Sequence, residues 1–180
     1  MDGCNHSIIE FSNYFEHLLR THKTIGGRED SDDTFIIRQT FTESTKTRHN
    51  WLCTYKKFDG KVFLTRSFKQ GPLFHWSLSM IGSDSEARKY AVKITIDRED
   101  EQVPKFELTI PVISIRKTKQ EVEENCLHAV LPEKVLRFFC TVKFVEDKKQ
   151  FQWRTQYKII KEMSCHLESF PEIDPILLMR

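Results

Sequence analysis

Glycine and proline are scarce in this chain, six of each in 180 residues. The glycines are not gathered into a loop that could cradle a phosphate, which argues against the nucleotide-binding motifs built on crowded backbone amides. No Cys-x-x-Cys pair occurs among Cys4, Cys53, Cys126, Cys140 and Cys165. Their odd number and wide dispersal argue against a disulfide framework. No run of about 20 apolar residues is present, so no membrane-spanning helix is expected. Asn5, His6, Glu10 and Asn13 interrupt the N-terminus where a signal peptide needs continuous apolar character. A cytosolic or nuclear protein with no membrane partner is therefore expected. Charge of one sign is also missing: 28 Lys and Arg are interleaved with 26 Asp and Glu, for a net +2. Without a basic stripe or aromatics set among Lys and Arg, nucleic acid is a disfavoured partner.

Catalytic chemistry finds equally little support. No Ser, His and Asp set stands in a nucleophile-elbow context. His49, His75 and His128 are each isolated in sequence, and such histidines are commonly satisfied or exposed side chains rather than catalysts. The acidic groups at 97–101 and 121–124 read as solvated turns.

What the chain does contain is a foldable core: 39% apolar residues, 14 of them Phe, with 30% charged. That composition describes one folded domain with room for a small satellite module. Over residues 73–81, Phe74, Trp76, Leu78 and Met80 alternate with His75, Ser77 and Ser79, the period-two pattern of a half-buried strand. Ser83 followed by Glu86 is a capping box and predicts a short helical turn. Tyr90, Val92, Ile94 and Ile96 then alternate with Ala91, Lys93 and Thr95, a second strand.

Further strands are expected at 34–41, 51–58, 61–68 and 105–115, with Asp59-Gly60 as a hairpin turn that tolerates positive φ. In the first of these, Phe35, Ile37 and Phe41 face one way and Ile36, Arg38 and Thr40 the other. Residues 117–125 read as a charged loop or helical turn, and Pro132 opens a helical segment at 133–139 from the N1 position. Segments 141–145 and 151–160 form a hairpin across 146–150. About eight short strands with turn signals between them predict an all-β antiparallel sandwich with one or two short helices, spanning 33–162. Residues 163–180, with Pro171 and Pro175, read as an irregular C-terminal extension. Cys53, Cys126 and Cys140 lie in apolar segments, where a reduced thiol behaves as a small hydrophobe.

The first 25 residues read differently. Cys4, His17 and His22 have the spacing C-x12-H-x4-H, the second half of a Cys2His2 zinc site. Ser12 is a candidate N-cap for a helix whose Phe15, Leu18 and Leu19 form one apolar stripe. Tetrahedral zinc takes four ligands and three appear here, so the site is incomplete or is finished by His6 or water. A charged hinge at 23–33, containing Gly26-Gly27, marks the boundary with the sandwich.

Taken in order, Gly3-Cys4 with His17 and His22, the hinge, the first strand, Trp51, Ile81-Gly82 with its capped turn, Ser114-Ile115 and Asn125-Cys126-Leu127 resemble the seven-in-absentia family of ubiquitin ligases over residues 3–145. In that family a RING domain recruits the ubiquitin-conjugating enzyme, zinc fingers follow, and a sandwich related to the TRAF domain binds substrates and dimerises. The resemblance implies that residues 1–25 are a partial second zinc finger and that extended degron peptides dock on Thr34, Phe35, Ile36, Ile37, Arg38, Gln39 and Thr40. Trp51 and Cys53 on the next strand would line side-chain pockets, Cys53 standing where the family tends to carry a larger thioether. The RING and first finger have no counterpart here, and residues 151–180 run past the usual end of the family pattern.

Two function classes follow. The leading one is a substrate-recognition component of a ubiquitin ligase, a homodimer or a heterodimer with a RING-bearing relative through which it meets the conjugating enzyme. Such ligases act by proximity, so no nucleophile is needed in this chain. The alternative is a non-catalytic adaptor or decoy that keeps the binding sandwich without any link to ubiquitin. A zinc-dependent nucleic-acid binder is the outsider.

Overall fold

The computed structural model describes residues 13–21, 24–26, 33–45, 47–98 and 104–161. They form an antiparallel β-sandwich with four short helices. The first sheet runs β1 (Ile25–Gly26), β4 (Thr54–Phe58), β5 (Lys61–Gln70), β6 (Leu73–Met80) and β10 (Ala129–Pro132), with β3 (Arg48–Asn50) also against β5 and β9 (Ile113–Ser114) against β6. Two short pairings, β1 with β4 and β6 with β9, are parallel. The second sheet is organised around β12 (Lys148–Lys161), which pairs with β2 (Thr34–Thr42), β7 (Tyr90–Asp97) and β11 (Thr141–Val145); β8 (Phe106–Pro111) lies beyond β7.

Register decides which edge of β12 each neighbour takes. Residues 154–158 of β12 face both β2 and β7, and residues 150–152 face both β2 and β11. Since a strand has only two edges, β7 and β11 share one and β2 holds the other along nine residues. The segment 151–161, which the family resemblance leaves as an extension, is thus most of the strand on which the second sheet is assembled. The loop expected at 146–150 tightens to a two-residue turn, because Glu146 and Asp147 adopt φ of 48° and 58° and Val145 pairs directly with Lys148. Asp59 and Gly60 make the corresponding turn between β4 and β5, as the sequence predicts.

Between the sheets lies an aromatic core in which Phe41, Phe74, Trp76 and Trp153 are all nearly or fully buried. The capping box forms: Ser83 accepts from the amide of Glu86, whose carboxylate accepts from the amide of Ser83, starting α2 (Asp84–Ala87). A second one, Thr118 with Glu121, starts α3 (Lys119–Asn125), so the charged segment there is a helix. Pro132 stands at the N-cap of α4 (Glu133–Leu136) and not at N1.

Two expectations are corrected. Strand β6 is buried on both faces, since Ser77 and Ser79 are as enclosed as the apolar residues between them. The outer face of the first sheet carries its own cluster, Leu18, Leu64 and Ile115, with Tyr14, Cys53, Tyr55 and Ile81 packed around it. Helix α1 (Tyr14–Thr21) supplies Leu18 to that cluster and sets Phe15 edge-on to Tyr55 at 5.0 Å, whereas Leu19 is exposed, so two residues of the expected Phe15, Leu18, Leu19 stripe pack and the third does not. Ser12, the hinge residues 27–32 and the extension 163–180 lie outside the described residues.

Candidate functional site

Strand β2 exists because Phe35, Ile37, Gln39 and Phe41 project into the sandwich at every second position while Ile36 and Arg38 face solvent. Its hydrogen-bond parity follows from one contact. The amide of Ile159 donates to the carbonyl of Asp33 at 2.8 Å, and in the antiparallel register Asp33 falls opposite Ile159. Odd-numbered residues of β2 therefore exchange bonds with β12, and the backbone groups of Thr34, Ile36, Arg38 and Thr40 are directed to the other edge. No strand pairs with that edge among the described residues. At its far end the carbonyl of Thr40 accepts the indole N–H of Trp51 at 3.1 Å, and Thr42 is closed by a turn, its amide donating to Thr45 Oγ1 and its carbonyl accepting from the Thr45 amide. The outward edge thus runs from Thr34 to Arg38.

The nine residues expected to bind peptide divide by orientation. Thr34, Ile36, Arg38 and Thr40 form one row on the solvent face of the second sheet, with Ile36 half exposed. Phe35 stacks on Tyr157 at 5.0 Å and 11°, and Ile37 packs on the core. Gln39 is buried at the centre of a polar chain. Its amide donates to Ser67 Oγ, its carbonyl oxygen accepts from Trp76 Nε1 at 3.2 Å and from Thr155 Oγ1 at 3.3 Å, and Thr155 in turn accepts from Trp153 Nε1 at 3.1 Å. Each indole N–H that would otherwise be buried without a partner is satisfied this way. Trp51 packs against Phe74 and Trp153 at 5.5 Å. It stands where β3 and β4 break, a gap bridged by Thr65, whose hydroxyl accepts from the Thr54 amide at 3.0 Å. Cys53 sits in the outer cluster, and burial pushes its thiol up to about 11.

Beside the row lies a feature that sequence reasoning missed. Arg154 of β12 is directly across from Arg38, and on its other side it holds Asp97 with two bonds of 2.7 Å. Asp97 is almost fully buried. No sequence pattern reports this, since Arg38, Asp97 and Arg154 meet only through cross-strand register.

Of the expected zinc ligands, His17 lies on α1 with Nδ1 3.3 Å from Thr21 Oγ1; Cys4, His22 and His6 lie outside the described residues. Among the described residues no three His, Cys, Asp or Glu side chains are grouped to hold a metal ion. Nor is any described helix long and apolar enough to cross a membrane. The histidines read as isolated are partly brought together: His75 Nδ1 and His128 Nε2 are 3.0 Å apart. His128 Nδ1 lies 2.8 Å from the carbonyl of Cys126, which can only accept. With neutral rings, His128 then carries its proton on Nδ1, and His75 Nδ1 is the donor to His128.

No family model matches the chain, and no curated protein matches it.

Proposed function

We propose that this chain is a peptide-capturing module whose β2 edge takes an extended segment of another protein as an added strand, and that it serves as the substrate-recognition component of a ubiquitin ligase of the seven-in-absentia type. The observation that carries the first half is the outward edge from Thr34 to Arg38, which has β12 on one side and no described strand on the other. Strand addition uses such edges, with main-chain bonds giving affinity and alternate side chains giving selectivity. The second half rests on the sequence resemblance. In this reading zinc is held by Cys4, His17 and His22, substrates carry short extended motifs, and the conjugating enzyme is met only through a RING-bearing partner subunit, as a homo- or heterodimer with that relative.

Reconstitution tests the proposal. The chain is mixed with a RING-bearing relative, conjugating enzyme, ubiquitin and a protein captured by the chain; transfer to that protein is expected, and is expected to be lost with Ile36→Pro. Capture without transfer would leave the non-catalytic adaptor as the function. Capture and transfer both unaffected by Ile36→Pro would remove the β2 edge as the site.

A further inference from the structure

We infer that the second sheet carries a separate binding site, a small cationic concavity at the fork between β7 and β11, which takes one phosphoryl group presented by a phosphorylated serine or threonine of a partner protein. The site goes beyond strand capture and does not depend on it, because its lining comes from the β7 and β11 side of β12, away from the open edge of β2.

Register explains why a concavity forms there. Strands β7 and β11 share one edge of β12 and part at Trp153: Asp97, the last residue of β7, is opposite Arg154, whereas Thr141, the first of β11, is opposite Gln152. On that edge no strand residue pairs with Trp153, and a space of about 80 Å³ is left at the fork. Directly opposed residues share a face of the sheet and side chains alternate along each strand, so Arg154, Gln152, Thr141 and Lys143 all project to one face. Arg98 lines the space where the chain leaves β7.

Every charged side chain lining the space is a cation: Arg38, Arg98, Lys143 and Arg154. Arg154 is locked by two bonds of 2.7 Å to Asp97, and Arg38 has an interaction of its own. The assignment therefore rests on the other two. Neither Arg98 nor Lys143 is ion-paired among the described residues, and Arg98 holds its Nε buried without a hydrogen-bond partner. A buried donor left in that state is costly, and an oxyanion in the space that Arg98 lines supplies the missing acceptor.

Size and charge select the group. A volume of about 80 Å³ is the room of two or three waters at roughly 30 Å³ each, enough for one phosphoryl group and too little for a sugar or base beside it. Converging guanidinium and ammonium donors suit a group with three acceptor oxygens and nearly two negative charges better than a carboxylate with two oxygens and one charge. A nucleic acid or an anionic membrane presents many phosphates and calls for an extended basic face. This chain has a net charge of only +2 and gathers these cations at one point, which matches a single phosphorylated side chain.

Backbone amide chemical shifts, followed by NMR at constant ionic strength, test this during titration with N-acetyl-O-phosphoserine amide, inorganic phosphate and N-acetylserine amide. Saturable shifts centred on residues 98, 141–143 and 152–154 are expected with the first two probes and none with the third. R98Q/K143Q is expected to bind the phosphoserine probe at least about ten-fold more weakly; neither side chain is ion-paired in the fold, so the unfolding midpoint is expected to hold. I36P is expected to bind the probe as the wild type does, which separates this site from strand capture. Saturation by inorganic phosphate without binding of the phosphoserine probe would overturn the phosphorylated side chain as the ligand. Shifts that fail to saturate, or that persist in R98Q/K143Q, would overturn the site. So would saturation seen only after Glu99, Asp100 and Glu101, which follow Arg98 in sequence, are replaced by their amides, since the chain's own carboxylates would then be the occupant.

Discussion

Trp51 donates its indole N–H to the carbonyl of Thr40 across 3.1 Å. A residue in the break between β3 and β4 thereby closes an outward backbone acceptor of the second sheet and sets where the open part of β2 ends. Replacing Trp51 by Phe keeps most of the packing on Phe74 and Trp153 and removes this bond. A loss of about 1 kcal/mol in denaturant unfolding is expected, and peptides bound to β2 are expected to extend their amide protection past Arg38 in hydrogen exchange.

Adjacent prolines should separate binding from folding. The amide of Ile36 points away from β12 and that of Ile37 points towards it, as the Ile159 to Asp33 bond requires. Proline at an outward edge position costs no ladder bond. Ile36→Pro is thus expected to keep an unfolding midpoint near that of the wild type while abolishing peptide binding. Ile37→Pro, which deletes a bond inside the sheet, is expected to lose about 3 kcal/mol or more.

The interior polar groups differ in how well they are satisfied, and substitutions should report it. Gln39→Leu strands the indole N–H of Trp76 and the hydroxyl of Thr155; about 2–3 kcal/mol of destabilisation is expected. The hydroxyl of Tyr157 is buried without a hydrogen-bond partner among the described residues, and burial raises its pKa. Tyr157→Phe is expected to be neutral or to stabilise the chain by about 1 kcal/mol. Equal losses in the two variants, measured by urea unfolding, would contradict this assignment of the network.

Glu86 gives the chain an acid-sensitive joint. Hydrogen bonds from Lys61 Nζ at 2.6 Å and from the Ser83 amide at 2.9 Å hold its carboxyl at about 2, below its ordinary 4.5. Its contribution to stability is therefore complete above pH 4.5 and is lost as pH falls towards 2. Thermal midpoints recorded through that window should fall more steeply for the wild type than for Glu86→Gln, and the two should run parallel above it.

Zinc content checks the N-terminal reading. Purified wild-type chain is expected to carry about one zinc per molecule, and His17→Ala much less. Less than about a tenth of a zinc in the wild type would mean that Cys4, His17 and His22 hold no metal.

Much of the architecture was legible before any coordinates. Strands β6 and β7, the Asp59-Gly60 turn and the Ser83 capping box depend on residues a few positions apart and form where they are read, although β6 is enclosed on both faces and not half-buried. The inward and outward division of β2 was equally local. Less legible were the two-residue turn at Glu146-Asp147, because both residues adopt positive φ without glycine, and the second burial of β6, because the cluster over its outer face comes from distant segments.

Periodicity along the chain settled which face each strand turns to the core, since that is a property of alternating side chains within a few residues. It had no means of assigning neighbours. That β12 lies between β2 and β7, that Arg38 faces Arg154 and Asp97, that Gln39 joins two tryptophans and that His75 meets His128 all depend on pairings between segments tens of residues apart, selected by packing the two sheets together. The edge of β2 became a candidate site only once register fixed which of its backbone groups point outward.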